Sequence, residues 1–249
     1  MYELIQVSES CYYIESPAKI GLVRLNETDV CLIDSGSDKD AGRKVRQHLD
    51  KNGWRLTAIY NGGFPPAELR HKFLMAQPSD AHELTADVLP KGFELLPLPG
   101  HFFDMAGFRT AEDVVYLADC LSSRETLDKY QIPFIYDVAA YLTTLETVKT
   151  MQARMFVPAH AAAAEDVSQL AQYNIDKVQQ VADRILTLCA QPLCSEVLLQ
   201  KLFTAYGLDM TFQQYALVGS TVRSFLSWLK GEGRLTAEFA DNMLLWRAV

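Results

Sequence analysis

Two histidines and one aspartate, side chains able to ligate metal, each come shortly after a β-prone run of the sequence. They are His101, Asp119 and His160, and the runs before them are 93–98, 114–117 and 155–157. Loops at strand ends converge on one edge of a sheet in layered α/β folds, where ligands bind. Imidazole nitrogen and carboxylate oxygen suit Zn²⁺ and similar ions. The spacing therefore predicts a metal site built from three strand ends.

Each of these residues also has a simpler explanation. A single histidine after a strand is commonly a hydrogen-bonded surface or core residue. Pro99 and Gly100, before His101, could form a plain turn, and Asp119 could cap a helical segment over 121–127. Spacing alone leaves both interpretations open.

The elements that must position these side chains follow from hydrophobic periodicity. Four short β-prone runs separated by turn-prone residues open the chain and predict an antiparallel meander. A helical pattern begins at Asp38, and a strand over 56–60 follows it. The remaining predicted strands are 93–98, 107–110, 114–117 and 155–157, and the predicted helices are 136–151 and 165–190. After Pro192 the pattern predicts helices near 195–206 and 212–230, then two short strands around 231–233.

Composition excludes several classes of protein. The 249 residues carry a formal net charge of -8, which disfavours a nucleic-acid partner unless a local basic patch exists. No signal peptide or membrane-spanning apolar stretch is visible. The five cysteines form no C-x-x-C pair, so we expect reduced, mostly buried thiols in a cytoplasmic protein.

Four segments, in the expected order, resemble those of the metallo-β-lactamase-fold hydrolases. They are Val30–Gly36, Leu96–Phe108, Val115–Asp119 and Phe156–His160. The resemblance implies an α/β fold: a four-layer αββα sandwich of two mixed β-sheets flanked by helices. It also implies that His101, Asp119 and His160 ligate metal, with Asp119 bridging two ions, and that Asp34 is a structural aspartate near the metal loop.

One motif of that family is absent. The signature H-x-H-x-D-H should follow the strand over 56–60, but the chain continues from Asn61 with Gly62-Gly63-Phe64, and no H-x-H occurs anywhere. An omitted segment and a naturally degenerate member both explain this. The survival of the other ligand segments favours an omission after Asn61. We expect weak or no metal binding and little or no hydrolysis. Of the other histidines, His48 lies in the first predicted helix, while His71 and His82 are expected to be solvated.

The resemblance implies one or two Zn²⁺ ions in an intact site, with Fe or Mn as alternatives, and a metal-activated water that attacks a small-molecule substrate. Thioesters, lactams, lactones and phosphodiesters are all cleaved by relatives, and no catalytic residue beyond the ligands is assigned. A non-catalytic binding or assembly protein is the first alternative, and a nucleic-acid-processing protein is the second.

The predicted domains are 1–190, with the αββα fold, and 193–249, which resembles a winged-helix-like extension. The C-terminal part carries five basic and five acidic residues. Because this balance gives no net positive field, we expect a packing or homodimer surface there, with DNA binding as the minority alternative and no membrane binding.

Overall fold

A computed structural model describes residues 2–62 and 84–249. The predicted solvation of His71 and His82 falls outside the described residues, as does the segment from Gly63 where the family motif was expected. The chain divides into two compact units. The first comprises residues 1–99, 104–121 and 151–167, and the second comprises 100–103, 122–150 and 168–249.

The first unit begins with a five-stranded mixed sheet in the order β1-β2-β3-β4-β5. Its strands are β1 (Glu3–Gln6), β2 (Cys11–Glu15), β3 (Ile20–Arg24), β4 (Asp29–Ile33) and β5 (Arg55–Tyr60). The first four form the predicted antiparallel meander, and β5 pairs parallel to β4. Helix α1 (Ala41–Asn52) connects these two parallel strands and begins three residues after the predicted start at Asp38.

A second mixed sheet has four strands in the order β6-β7-β8-β9. They are β6 (Glu94–Pro97), β7 (Ala106–Arg109), β8 (Val114–Tyr116) and β9 (Met155–Val157). The first three are antiparallel, and β9 pairs parallel to β8. Each sheet thus has one parallel pair, β4-β5 and β8-β9.

The alternation of side chains along the strands gives the first sheet two apolar faces. One face contributes Cys11, Cys31 and Ile33 to a buried cluster shared with Phe108 and Tyr116 of the second sheet. The other face contains Tyr12, Ile14, Leu22 and Leu32 and packs against Ala41, Val45 and Leu49 of α1. The core of the first unit therefore lies between the two sheets, and a second apolar layer lies under α1.

The second unit contains five helices and a hairpin. They are α2 (Arg124–Tyr130), α3 (Val138–Thr150), α4 (Ser168–Leu188), α5 (Ser195–Tyr206), α6 (Phe212–Gly231), β10 (Leu235–Ala240) and β11 (Met243–Ala248). Helix α4 contacts α2, α3 and α5, so it groups with the C-terminal helices. The predicted division at 190–193 stays a prediction, as does the likeness to a winged helix.

Two local expectations differ from the structure. Both C-terminal strands follow Gly233, and the turn between them is formed by Asp241 and Asn242, whose positive φ angles of 49° and 61° suit a tight hairpin. Asp119 does not cap the next helix. Ser123 caps α2 instead, because its side chain accepts a hydrogen bond from the backbone N–H of Thr126.

Two other expectations, on the cysteines and on His48, are confirmed. All five cysteines are free thiols, and four of them are buried, including Cys120 beside Asp119. His48 lies on α1, where its Nε2 is 2.8 Å from the carbonyl oxygen of Tyr2. No helix within the described ranges combines the length and the apolarity needed to cross a bilayer.

Candidate functional site

The two parallel strand pairs of the first unit end at polar side chains. Beyond β4 and β5, the N–H of Asp34 donates to the carbonyl of Tyr60 at 2.8 Å, so the ladder extends to the end of both strands. Asp34 and Asn61 follow at this edge. The side chain of Asp34 then accepts a hydrogen bond of 2.9 Å from the N–H of Gly62. The carboxyl ends of β4 and β5 thus place one carboxylate and one amide side by side.

The second pair has the same arrangement. The N–H of Leu117 donates to the carbonyl of Val157 at 3.1 Å, and the N–H of Ala159 donates to the carbonyl of Ala118 at 2.9 Å. These bonds carry the β8-β9 ladder up to Asp119 and His160. The Oδ1 atom of Asp119 lies 3.2 Å from Nε2 of His160. The structure therefore brings two of the three predicted ligands into contact.

The backbone at these ends is strained. Asp34 has a φ of 61° and Ala118, directly before Asp119, has a φ of 47°. A non-glycine residue in the left-handed region costs about 1–3 kcal/mol and persists only where its surroundings hold it there. The hydrogen bond from the N–H of Ala159 to the carbonyl of Ala118 holds Ala118 in this conformation. Strain of this kind concentrates at functional sites, which supports the assignment of this edge.

A cavity of about 200 Å³ opens between these strand ends. Its lining residues are Ala18, Lys19, Asp34, Ser35, Gly36, Ser37, Asn61, Ala118, Asp119, Ala159 and His160. The β2-β3 turn closes one side, since the N–H of Lys19 donates to the carbonyl of Ala159 at 3.0 Å. The ammonium group of Lys19 is largely buried and lies 3.1 Å from the carboxylate of Glu15. Acidic, basic, amide and hydroxyl groups thus line one small space.

Burial and neighbouring charges tune the acids and bases of the cavity. The pKa of Asp34 is raised to about 6, chiefly by burial and to a smaller extent by the Asp119 carboxylate, while the hydrogen bond from Gly62 acts in the opposite direction. The hydrogen bond with Asp119 raises the pKa of His160, and burial of the ring acts in the opposite direction. The Nδ1 atom of His160 lies 3.2 Å from the carbonyl oxygen of Pro17. Since both ring nitrogens face acceptors, the doubly protonated imidazolium is favoured.

His101 lies in the second unit. Its ring packs edge-on against Phe134, with 5.4 Å between the ring centroids. Gly100, before it, has a φ of 124° and accepts hydrogen bonds from the N–H groups of Tyr136 and Asp137. The backbone at His101 is thus fixed by the segment that precedes α3. The assignment of His101 as a ligand stays a prediction.

Asn61 is a residue of the cavity to which sequence reasoning assigned no role. Its side-chain oxygen is buried and has no hydrogen-bond partner among residues 2–62 and 84–249. A buried acceptor without a donor costs about 1–3 kcal/mol, so such atoms usually have a partner. A positional signal was present in the sequence, because Asn61 directly follows a strand just as the predicted ligands do.

The donor chemistry of the cavity fits a divalent ion only in part. Carboxylate, amide and imidazole groups are suitable ligands for Zn²⁺, Mn²⁺ or Fe²⁺, and the side-chain oxygen of Asn61 has no donor partner in the described part of the chain. Within the two described ranges, however, no three His, Cys, Asp or Glu side chains are grouped so that they could hold an ion. The described residues of the cavity therefore carry donor types that suit such an ion, but they are not grouped as a preformed metal site.

Comparisons with solved structures show which fold this chain has. A β-lactamase domain protein from Burkholderia ambifaria superposes on 99% of this chain and 94% of its own length, with a TM-score of 0.74 and 14% identity. A metallo-β-lactamase family protein from Thermus thermophilus covers 99% of this chain and 98% of its own, with a TM-score of 0.67 and 15% identity. The DIM-1 metallo-β-lactamase covers 72% of this chain and 97% of its own, with a TM-score of 0.53 and 12% identity.

No family model matches the sequence, and no curated protein matches it either. The structural likeness shows that the chain has the metallo-β-lactamase fold, and it confirms the predicted class of two mixed sheets flanked by helices. The first two of these structures cover nearly the whole chain, whereas DIM-1 covers less than three quarters of it.

Proposed function

We propose that this chain is a metal-dependent hydrolase of the metallo-β-lactamase type whose activity is weak because the first histidine cluster is absent. The observation that carries this is the contact between Asp119 and His160. They lie 3.2 Å apart at the carboxyl ends of two parallel strands and face the cavity. The DIM-1 structure shows that a metallo-β-lactamase shares this fold.

A divalent ion bound at Asp119 and His160 would lower the pKa of its water toward about 7 and polarise a carbonyl or phosphoryl oxygen. The chain's own groups would bind and orient the substrate. Lys19, Ser35 and Ser37 line the same cavity and carry the donors available to an acyl or phosphoryl group. Zn²⁺ is the first ion to test, and Mn²⁺ and Fe²⁺ are the alternatives.

Both ring nitrogens of His160 face acceptors, so a metal ion would compete with a proton for this imidazole. An imidazolium cannot ligate an ion, so binding must displace the proton on Nε2 and separate that nitrogen from Asp119. The cost of this step is a second reason to expect weak binding by the chain as it stands.

The test is metal binding followed by hydrolysis. Chelator-treated protein is dialysed against Zn²⁺ or Mn²⁺ and its metal content is measured, with His160→Ala and Asp119→Asn as variants. We expect about one ion per chain for the wild type, loss of that ion in both variants, and slow, metal-dependent cleavage of a chromogenic ester, lactam or phosphodiester. The matched control is His48→Ala, whose imidazole lies on α1 and contacts the carbonyl of Tyr2.

A non-catalytic binding protein is the second candidate, and one observation favours it. The Asp119 carboxylate already has His160 as a partner at 3.2 Å, so it does not need a metal ion to satisfy it. If the wild type takes up no ion at about 1 mM metal, where binding would be weaker than about -4 kcal/mol, the hydrolase proposal is wrong and this second candidate replaces it.

A further inference from the structure

The C-terminal hairpin of β10 and β11 has one covered edge and one open edge. On the β11 side, Leu193 and Trp246 exchange backbone hydrogen bonds of 3.0 and 2.8 Å, and the N–H of Ala248 donates to the carbonyl of Cys189. Within the described ranges, no strand pairs with the other edge of β10. An unpaired strand edge is a template for pairing with another chain.

The hydrogen bonds between the two strands show which backbone groups of β10 point to the open edge. The N–H of Val249 donates to the carbonyl of Arg234. In an antiparallel pair, hydrogen-bonded and non-hydrogen-bonded positions alternate along each strand. The even-numbered residues of β10 therefore bond to β11, and the N–H and carbonyl groups of Leu235, Ala237 and Phe239 point outward.

The side chains at this edge are apolar and little protected by charge. Native edge strands are commonly blunted by lysine, proline or a bulge, whereas β10 has Glu238 as its single charged side chain. Phe239 is 80% exposed, although it shares one face of the hairpin with the buried Leu235. That face is thus covered at the base of the hairpin and uncovered at its tip.

We propose that the open edge of β10 pairs antiparallel with the same edge of a second copy of this chain, across a two-fold axis at Ala237. Ala237 would then face Ala237 of the partner subunit, and Leu235 would face Phe239 of the partner subunit. In this register every outward N–H meets an outward carbonyl. Glu238 lies opposite Thr236 of the partner subunit, so the two carboxylates are kept apart.

The distribution of charge favours a second copy as the occupant of this edge. The whole chain has a net charge of -8, so two copies repel each other over most of their surfaces. Residues 193–249 carry five basic and five acidic residues, and two copies approach there with the least repulsion. The pairing does not depend on the proposed function, since none of its residues lines the cavity.

Sedimentation velocity of the wild type tests the pairing. A single strand edge on each copy is smaller than a standard interface of roughly 1,200–2,000 Å², so we expect a dimer with a dissociation constant of about 10 µM. Ala237→Pro removes an outward N–H but no bond to β11, and it should raise the dissociation constant at least about tenfold. Ala237→Ser, which keeps the N–H, is the matched control and should dimerise like the wild type.

A charge at the tip of the hairpin gives a second pair of variants. Phe239→Glu places a carboxylate against Leu235 of the partner subunit, and it should abolish the dimer at about 100 µM protein. Met243 is 52% exposed on the opposite face of the hairpin, where it pairs with Ala240. Met243→Glu adds the same charge outside the contact and should leave the dimer intact.

Amide hydrogen exchange of the wild type tests the register without any variant. When the protein concentration rises from about 1 to about 100 µM, exchange at Ala237 and Phe239 should slow severalfold, because their N–H groups become bonded. Exchange at Glu238 and Ala240, which bond to β11, should be the same at both concentrations. Mass spectrometry of the exchanged chain measures both sets of amides.

Three results would overturn the pairing. A wild type that is monomeric at about 100 µM leaves the open edge to a partner other than a second copy. A dimer that neither Ala237→Pro nor Phe239→Glu weakens uses a different surface. Equal losses in Phe239→Glu and Met243→Glu would mean that the tip makes an unspecific apolar contact instead of a strand pair.

Discussion

The Nε2 atom of His160 lies 3.2 Å from a carboxylate oxygen of Asp119, while Nδ1 of the same ring lies 3.2 Å from the carbonyl oxygen of Pro17. The imidazole is therefore held between two acceptors. This geometry favours the protonated ring and fixes its orientation at the cavity.

Asp119→Asn should lower the pKa of His160. The hydrogen bond with the Asp119 carboxylate is the largest cause of the raised pKa, and burial, which opposes it, would remain. Titration of the histidine Cε1–H resonances by NMR measures the change, with His160→Ala to assign the signal. The raised pKa means that the pair adds stability below about pH 6.5 and that this contribution is lost as the pH rises through the pKa of His160. An unchanged pKa in Asp119→Asn would show that the carboxylate does not hold the ring.

His101→Ala should weaken Zn²⁺ binding at least about tenfold if His101 is a ligand, as the sequence predicts. Isothermal titration of chelator-treated protein measures it. His48→Ala is the control, since its ring contacts a backbone carbonyl on α1. If His101→Ala and the wild type bind Zn²⁺ with equal affinity, His101 is not a ligand, and only Asp119 and His160 remain as proposed ligands.

Glu112→Gln should lower the free energy of unfolding by about 1 kcal/mol at pH 7. The carboxylate accepts hydrogen bonds from the hydroxyl and the N–H of Ser10, which follows β1, and so joins the two sheets of the first unit. Burial raises the pKa of Glu112, but the hydrogen bonds from Ser10 and Ser8 outweigh it and leave the pKa below its ordinary value of 4.5.

The stability that Glu112 contributes is thus present above about pH 4.5 and is lost as the pH falls through its lowered pKa. Denaturant unfolding at several pH values compares the variant with the wild type. The difference between them should shrink toward acid pH. A difference that stays constant between pH 7 and acid pH would contradict this account.

Gly62→Ala should lower the free energy of unfolding by about 2 kcal/mol. A Cβ atom on Gly62 would lie 2.1 Å from the carbonyl oxygen of Ala106, and that backbone could not move without breaking the hydrogen bond between the two residues. Gly42→Ala, in α1, is the control because a Cβ there meets nothing within 4 Å, and it should be neutral or stabilising. Chemical denaturation of both variants tests the pair. Equal stabilities would mean that the strand end at Asn61 can shift.

One thiol per native chain should react quickly with an aromatic disulfide reagent, and five should react after unfolding. Cys194 is partly exposed, whereas the other four cysteines are buried. Burial raises the pKa of Cys31 to about 12 and that of Cys189 to about 11, which lowers their reactivity further. Absorbance of the released thiolate gives the count. Cys194→Ser should remove the fast phase, and a fast phase that persists in this variant would show that a buried thiol is accessible.

Hydrophobic periodicity and turn residues in the sequence were enough to predict the meander of β1 to β4, helix α1 and the strands that end at Asp34, Asp119 and His160. Period-two alternation is a local property, and it also determines which side chains face the core. The same reasoning placed Asp119 and His160 at strand ends, and the structure brings these side chains within 3.2 Å of each other; their role as metal ligands stays a prediction.

Only the tertiary structure decided which residues the ends of these strands contact. The pairing of β8 with β9 brings Asp119 to His160 across 41 positions of sequence, and the pairing of β4 with β5 sets Asn61 beside Asp34. The lack of a partner for the Asn61 oxygen among the described residues, the raised pKa of Asp34 and the place of His101 in the second unit have no sequence signal. Burial and strand pairing are long-range properties, and they depend on which distant segments pack together.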